Sequence, residues 1–207
     1  VLHCAMLARL GGGVDAFVIG SEMRGLTRIR DDAGRFPFVD ELVRLSRDVK
    51  TLLPNAVVTY AADWSEYFGY QPDDGTGDVF FNLDPLWAEP DIGAVGIDNY
   101  LPVSDWRDGD EEVQEPSLYD VGVLRDGIRG GEYHDWFYRN AEDRALGRRT
   151  PITDGLGKPW TFRAKDIRSW WSNPHFERRK GVEAQEPTAW APMSKPIWFT
   201  ELGCPAI

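Results

Sequence analysis

The sequence is poor in the residues that define several functional classes. Its two cysteines, Cys4 and Cys204, lie near opposite ends of 207 residues, which excludes a disulfide framework. Its three histidines, His3, His134 and His175, share no spacing with one another. We therefore predict neither a metal site nor a Ser-His-Asp triad, and we expect no cofactor.

Long apolar runs and an excess of positive charge are also missing. No window approaches the eighteen consecutive apolar residues of a membrane span. The first ten residues, VLHCAMLARL, lack the basic flank, the long apolar stretch and the cleavage site of a signal peptide. Asp and Glu number 34 against 23 Lys and Arg, so the net charge is -11. Because nucleic acid binding needs a cationic face, no direct nucleic acid ligand is expected.

Tryptophan, in contrast, is abundant. The chain has nine Trp within a composition that is 42% hydrophobic and 28% charged, which is typical of one globular domain. A surface rich in Trp can stack on the apolar faces of sugar rings. Packing in the core is the more frequent role of Trp, so the count alone only hints at a carbohydrate ligand.

Four short apolar runs predict buried strands by their length and β-branched content: residues 14–20, 56–62, 92–97 and 196–200. Between the first two, apolar residues recur with helical spacing over residues 38–53. Pro37 precedes this stretch and Pro54 follows it, as expected for the start and end of an amphipathic helix. A strand, helix, strand order with both sheet faces covered implies parallel pairing, so the predicted class is α/β.

Further helical patterns lie at residues 2–13 and 84–90, and Gly11–Gly13 indicate a helix stop rather than a phosphate loop. Residues 101–195 separate the third and fourth strands by far more than the ~30 residues of a βαβ unit. We predict that they form an insertion, with helical pieces at residues 117–128, 132–146 and 163–171. The insertion holds six of the tryptophans: Trp106, Trp136, Trp160, Trp170, Trp171 and Trp190.

Two of the predicted strands end in a glutamate, Glu22 and Glu201. In parallel α/β folds the reactive groups lie at the carboxyl edge of the sheet. Glycosidic cleavage needs two carboxyl groups: one protonates the leaving oxygen, and the other attacks the anomeric carbon or activates a water. The structural alternatives are a helix-start residue for Glu22 and an ion-pair partner of an arginine for Glu201.

Side-chain alternation predicts which residues share a face with these glutamates. In the first strand, small residues at 16, 18 and 20 alternate with Phe17 and Ile19, and the third strand repeats this pattern. We expect the small or polar set to face a barrel interior and the bulky set to face outer helices. The residues expected around one cavity are Glu22, Asp98, Tyr100, Glu201, Phe199 and Ile197.

Three segments resemble a known family: IGSEMRGLT (19–27), VGIDNYLPV (95–103) and PIWFTELGCPAI (196–207). They resemble the TIM-barrel-like domain of gene transfer agent and phage tail proteins, over essentially the whole chain. That domain is itself similar to retaining glycoside hydrolases, the mannanase-like members in particular. The resemblance implies that the chain is part of a (β/α)8 TIM-barrel-like domain and carries strands four to seven of the barrel.

The resemblance also implies roles for individual residues. Glu22 would be the acid/base, Glu201 the nucleophile, and Tyr100 the tyrosine that hydrogen-bonds the nucleophile. Ser21 stands where the related hydrolases typically have an asparagine that reaches a sugar hydroxyl.

Other residues near the strand ends are candidates for substrate binding. Trp64 and Tyr67 follow the second strand and would form a sugar-stacking wall or pack at a helix start. Asp98 and Asn99 would orient a substrate hydroxyl or hold a local turn. Glu66 is expected to be solvated.

The sequence thus predicts a glycoside hydrolase-like domain of a phage-tail or gene transfer agent particle. Its expected partners are a bacterial surface or cell-wall polysaccharide and other tail or baseplate proteins. Its expected location is the particle tail, assembled in the bacterial cytoplasm and extracellular after release. Two alternatives are open: a catalytically inactive structural or glycan-binding barrel, and an unrelated α/β enzyme such as an isomerase.

Overall fold

The structure is a computed structural model that describes residues 1–107 and 119–203. Four long strands pair in parallel in the order β1-β2-β3-β8. The α/β class and the parallel pairing are therefore confirmed, and the described strands form an open sheet rather than a closed barrel. In chain order the strands are β1 Ala16–Ser21, β2 Val57–Asp63, β3 Val95–Asn99, β4 Trp136–Phe137, β5 Thr150–Pro151, β6 Arg178–Arg179, β7 Val182–Glu183 and β8 Ile197–Leu202.

Most of the predicted helices are present. The helices are α1 Leu2–Leu10, α2 Arg24–Thr27, α3 Pro37–Leu52, α4 Asp84–Trp87, α5 Val121–Arg129, α6 Ala141–Ala145, α7 Ile167–Ser172 and a 3-10 helix at Pro159–Phe162. The helix predicted over residues 132–146 is mostly wrong, because Trp136–Phe137 pairs with Thr150–Pro151 in a hairpin and only the end of the segment is helical. No described helix is both long and apolar enough to cross a membrane.

Helix α3 covers one face of the parallel sheet. Pro37 lies in its first turn, where a missing N–H breaks no helical hydrogen bond. Its apolar side chains Val39, Leu42 and Val49 are buried, and the helix contacts α1, α4, β1 and β2. Burying each such side chain contributes about 1.5–3 kcal/mol, so this face is a main source of stability.

The chain divides into two compact units, and the predicted insertion is shared between them. The first unit comprises Val1–Asn99 and Trp171–Leu202, and the second comprises Tyr100–Trp170 with Gly203. In the second unit, the Asp120 side chain caps α5 by accepting hydrogen bonds from the amides of residues 122 and 123. The Arg149 guanidinium lies 4.4 Å from the centre of the Trp136 ring over the β4–β5 hairpin.

The tryptophans of residues 101–195 serve mainly in packing. Trp160, Trp170 and Trp190 are buried, and Trp106, Trp136 and Trp171 are partly buried. None of the six is exposed. This part of the chain therefore offers no broad tryptophan surface for a sugar.

Candidate functional site

Two bulges decide which side chains face the same way at the carboxyl edge of the sheet. In β1, Val18 pairs with Thr59 but Ser21 pairs with Ala61. Three residues along β1 therefore correspond to two along β2, and β1 contains one extra residue. In β8, Phe199 pairs with Ile97 and Glu201 with Asp98, so Thr200 is the extra residue. A bulge shifts the alternation of the side chains that follow it.

The bulges place a set of polar residues on one face of the sheet, which we call the inner face. Paired residues of parallel strands point to the same side. Since Ala61 pairs with both Ser21 and Gly96, and Asp98 pairs with both Asp63 and Glu201, these side chains share one face. At the carboxyl edge the inner face therefore carries Ser21, Asp63, Asp98 and Glu201.

The predicted place of Phe199 and Ile197 on this face is wrong. They pair with Ile97 and Val95, whose side chains point to the opposite side. The cause is the bulge at Thr200, because strict alternation along β8 holds only up to that residue. Trp198 pairs with Gly96 instead and joins the inner face, where it is 36% exposed.

Asp98 is the centre of the inner face. Its side chain has no exposed surface. Its Oδ2 accepts a hydrogen bond from the Ser21 hydroxyl at 2.9 Å, and its Oδ1 accepts one from the Thr200 hydroxyl at 2.6 Å. Ser21 immediately precedes Glu22, and Thr200 immediately precedes Glu201. One buried carboxylate therefore joins the two strand ends that carry the predicted catalytic glutamates.

The hydrogen bond between Ser21 and Asp98 also shows that the sheet is strongly curved. These residues lie on β1 and β3, which are separated by β2. In a flat sheet their backbones would lie about 9.6 Å apart, at twice the normal strand spacing. Two short side chains meet at 2.9 Å only if the sheet curls toward the inner face, and Ala61 between them is small enough to permit it.

Glu22 lies just beyond the end of β1 in a left-handed backbone conformation, with φ of 51°. Such a conformation is uncommon for a residue other than glycine and has to be held by its surroundings. The Glu22 amide donates to the Ala61 carbonyl at 2.9 Å. Helix α2 has Met23 as its N-cap and no side-chain cap, so Glu22 does not serve as a helix cap.

The Glu22 side chain is exposed but lies in a field of negative charge. Partial desolvation raises the pKa of its carboxyl group, and repulsion from three other carboxylates raises it further: Asp63, Asp98 and Glu201. A carboxyl group with a raised pKa keeps its proton to higher pH. Glu201, also exposed, is thus among the charges that act on Glu22, as expected for two groups on one rim.

The remaining candidates follow β2 or lie at the end of β3 in the chain. Trp64 follows β2, is half-buried and donates its backbone amide to the Asp98 carbonyl at 3.1 Å. Asn99 ends β3 opposite Leu202 and is half-buried. Tyr100 is the first residue of the second unit and is 38% exposed, with its ring against Gly203. Its hydrogen bond to the nucleophile stays a prediction.

In the loop after β2, one prediction is wrong and one open alternative is decided in favour of packing. Glu66, expected to be solvated, is 1% exposed and accepts hydrogen bonds from Thr27 and Tyr60. Tyr67 is also 1% exposed and packs against Phe68 with ring centres 5.5 Å apart. Of the proposed sugar-stacking wall, only Trp64 has surface to offer.

The sequence interpretation missed Asp63 and Thr200. Asp63 ends β2 and pairs with Asp98. The rule that selected Glu22 and Glu201, an acid at the carboxyl end of a strand, would also have found Asp63. Thr200 carries no such signal, because its role depends on a bulge.

One cavity of the sheet unit lies away from the two glutamates. A cavity of about 310 Å³ is lined by Phe36, Phe81 and Asn82 and by residues of the segment 177–189, and none of the candidate catalytic residues contributes to it. The described residues contain no cluster of His, Cys, Asp and Glu that could hold a metal ion. The rim itself carries the carboxyl groups of Glu22, Asp63 and Glu201.

A curled parallel sheet covered by helix α3 on one face, with acids at its carboxyl edge, is an arrangement found in TIM-barrel-like proteins. A comparison with family models agrees with this class. The model of the GTA TIM-barrel-like domain matches residues 1–207, and the chain belongs to that family. The resemblance predicted from the three segments is thus confirmed, and it associates the chain with gene transfer agent particles. No curated protein matches the chain.

Proposed function

We propose that this chain is a glycoside hydrolase-like domain of a gene transfer agent or phage-tail particle. It cleaves a bacterial surface or cell-wall polysaccharide with retention of anomeric configuration. The observation that carries the proposal is the Asp98 carboxylate, which binds the residues that precede Glu22 and Glu201. In this proposal β1, β2, β3 and β8 are strands four to seven of an eight-stranded barrel. The domain resides in the particle tail and contacts other tail or baseplate proteins there.

The two glutamates divide the reaction between them. Glu22, whose pKa is raised, donates its proton to the glycosidic oxygen as the bond to the anomeric carbon breaks. The Glu201 carboxylate attacks that carbon and forms a covalent glycosyl ester. Glu22, now ionised, takes a proton from a water that attacks the same carbon and releases Glu201.

Neighbouring residues orient these groups and the substrate. Asp98 was predicted to orient a substrate hydroxyl or hold a local turn; because it has no exposed surface, we assign it to fixing both strand ends instead. Ser21 donates its proton to Asp98, so its oxygen is left to accept a hydrogen bond from a sugar hydroxyl. Trp64 and Asn99 supply the remaining sugar contacts.

The test separates the two roles by leaving group. E22Q should slow the release of reducing sugar from a bacterial polysaccharide by about 10²–10⁴-fold. The same variant should retain most of the initial burst of 2,4-dinitrophenolate release from 2,4-dinitrophenyl β-glycosides, because this leaving group departs without protonation. E201Q should abolish turnover of both substrates. E142Q, at an exposed glutamate of the second unit, is the control and should leave turnover unchanged. Undiminished turnover by E201Q would remove the nucleophile assignment.

The second candidate is a barrel that binds glycans or tail proteins without catalysis. It is favoured by Ser21, which stands where the related hydrolases have an asparagine, and by the open form of the rim. Binding on a glycan array without any release of reducing sugar would select this function.

A further inference from the structure

We infer that Tyr60 and Glu66 are positioning residues, which hold Glu22 in its left-handed conformation from the helix-covered side of the sheet. The inference rests on the proposed function, because it concerns the geometry of Glu22 as the acid/base. Nothing in the sequence pattern marks either residue. Both are assigned by a chain of hydrogen bonds beneath the rim.

The chain of hydrogen bonds begins at the peptide that follows Glu22. The Met23 amide donates to the Tyr60 hydroxyl at 2.7 Å. That hydroxyl in turn donates to the Glu66 carboxylate, whose oxygens lie 3.0 and 3.2 Å away. The peptide that precedes Glu22 is held as well, because the Glu22 amide donates to the Ala61 carbonyl at 2.9 Å. Both flanking peptides are thus tied to β2.

Two further hydrogen bonds hold the Glu66 side chain in place. The Thr27 hydroxyl donates to its Oε1 at 2.5 Å, and the Asp63 amide donates to its Oε2 at 3.2 Å. Thr27 ends α2, the helix that begins two residues after Glu22. Through Tyr60 and Thr27, one buried carboxylate fixes the start and the end of the segment that follows Glu22. A buried network whose members are satisfied in this way is rigid.

The Tyr60 ring is fixed by packing on both sides. It has no exposed surface, and it lies 6.3 Å from the Trp87 ring, centre to centre. On the other side, a Cβ atom added to Gly20 would lie 3.3 Å from the Tyr60 ring and 3.0 Å from the Met23 side chain. Gly20 therefore leaves the space in which Tyr60 reaches the Met23 amide.

The hydrogen-bond network opposes relaxation of the Glu22 backbone from its left-handed conformation to an extended one. A left-handed glutamate at a strand end costs free energy that its own side chain does not recover. Without the hydrogen bond to Tyr60, we expect the segment to return toward extended geometry. The Glu22 carboxylate would then move away from the three carboxylates that face it: Asp63 of β2, Asp98 of β3 and Glu201 of β8.

The test is Y60F in the full chain, which removes the hydroxyl and keeps the ring. The basic limb of the kcat/KM pH profile reports the acid that donates the proton, and it should shift to lower pH. The kcat should fall about tenfold, with KM changed less than twofold. Carbon-13 titration of the Glu22 carboxyl, which needs no activity, should show its pKa lowered toward 4.5, the ordinary value for a glutamate. Y70F is the matched control, because the Tyr70 ring stacks on Phe80 and lies outside this network.

Each outcome bears on one proposal. A folded Y60F with an unchanged Glu22 pKa and an unchanged kcat overturns the inference. If Y60F does not fold, E66Q replaces it, and the same two readouts decide. If the wild type cleaves no glycan but the Glu22 pKa still falls in Y60F, the hydrolase function fails and the positioning role stands. A loss of kcat with an unmoved Glu22 pKa and pH profile also counts against positioning, because it indicates general damage.

Discussion

The two strand ends that carry the glutamates are supported very differently. At the end of β1, the backbone around Glu22 is bound by Ala61 and Tyr60, and the Ser21 side chain is bound by Asp98. At the end of β8, Glu201 lies in a strand that pairs only with β3 among the described strands. Its neighbours Phe199 and Leu202 are 49% and 72% exposed.

The contrast matches the tasks proposed for the two groups. An acid/base must be protonated when the glycosidic bond breaks and ionised when water attacks, so its place among other charges has to be exact to a fraction of an ångström. A nucleophile forms a covalent bond and can be guided by the substrate itself. Asp98 accepts hydrogen bonds from both ends, and its contribution can be separated from that of each end by substitution.

The largest effect is expected at Gly96, which lies beneath both ends in the centre of the sheet. A Cβ atom at this position would lie 2.4 Å from the Tyr60 carbonyl oxygen and 3.0 Å from the Thr59 hydroxyl. Because the first of these is backbone, G96A must push β2 and β3 apart. We expect a loss of about 3 kcal/mol or more in the free energy of unfolding, measured by urea denaturation. The exposed Gly25, where an added Cβ meets nothing, is the control, and G25A should change stability far less. Equal effects of the two variants would contradict the sheet geometry.

The next effect is expected from D98N, which keeps the shape of the side chain but leaves one acceptor oxygen for two hydroxyl donors. Either Ser21 or Thr200 then loses the carboxylate oxygen to which it donates and is left to accept from the neutral amide, so we expect a loss of about 1–3 kcal/mol in the free energy of unfolding. Turnover should fall with it, since both strand ends are loosened. D126N, in α5 of the second unit, is the control. A D98N protein with wild-type stability and turnover would show that the two ends do not depend on this bridge.

Buried Glu66 should make the support of the β1 end depend on pH. Burial raises the pKa of Glu66 above 4.5, and the hydrogen bonds from Thr27, Tyr60 and Asp63 only partly oppose it. Folding therefore favours the protonated form. The stabilisation contributed by the protonated Glu66 side chain is therefore fully present below the unfolded-state pKa. It is lost as the pH rises through the folded-state pKa. We expect the stability of wild type relative to E66Q to fall as the pH is raised above 4.5.

Urea denaturation of both proteins between about pH 4.5 and 8 checks this sign, within the range where proteins are usually most stable. The exposed Glu41, which pairs with Arg44, offers the control E41Q, and this variant should follow the wild-type pH dependence. Parallel curves for wild type and E66Q would mean that Glu66 has the same pKa in the folded and unfolded protein.

The architecture of both ends was predictable, but the way they meet was not. The periodicity of residues 38–53 and the flanking prolines predicted α3 to within one residue at each end, because these signals are local. The bulge at Thr200 depends instead on pairing between strands about a hundred residues apart in sequence, and no local pattern encodes it. Strict side-chain alternation, counted back from Glu201, therefore assigned Phe199 to the wrong face of the sheet.

Glu66 illustrates a second limit. An acid in a turn rich in polar residues is usually solvated, and the sequence shows nothing that would bury it. Its burial follows from Tyr60 and Thr27, which lie six and 39 residues away and provide its hydrogen bonds. Composition could not identify Thr27 as a partner, since α2 approaches the loop after β2 only once β1 and β2 have paired.

The smallest effect, and the sharpest test of the contrast, is expected from T200V. This change removes the hydroxyl that donates to Asp98 Oδ1 and keeps the branched shape. Asp98 keeps its bond to Ser21, so the loss in unfolding free energy should be about 1 kcal/mol. Because only the β8 end is released, turnover should fall several-fold while the Glu22 pKa, measured by carboxyl titration, stays near that of the wild type.

S21A is the matched change at the other end. There the hydrogen bonds to Ala61 and Tyr60 still hold the backbone around Glu22, so the loss of turnover should be smaller. If T200V changed the Glu22 pKa as much as Y60F does, the two strand ends would be coupled to each other. Separate support of the acid/base by Ala61 and Tyr60 would then be contradicted.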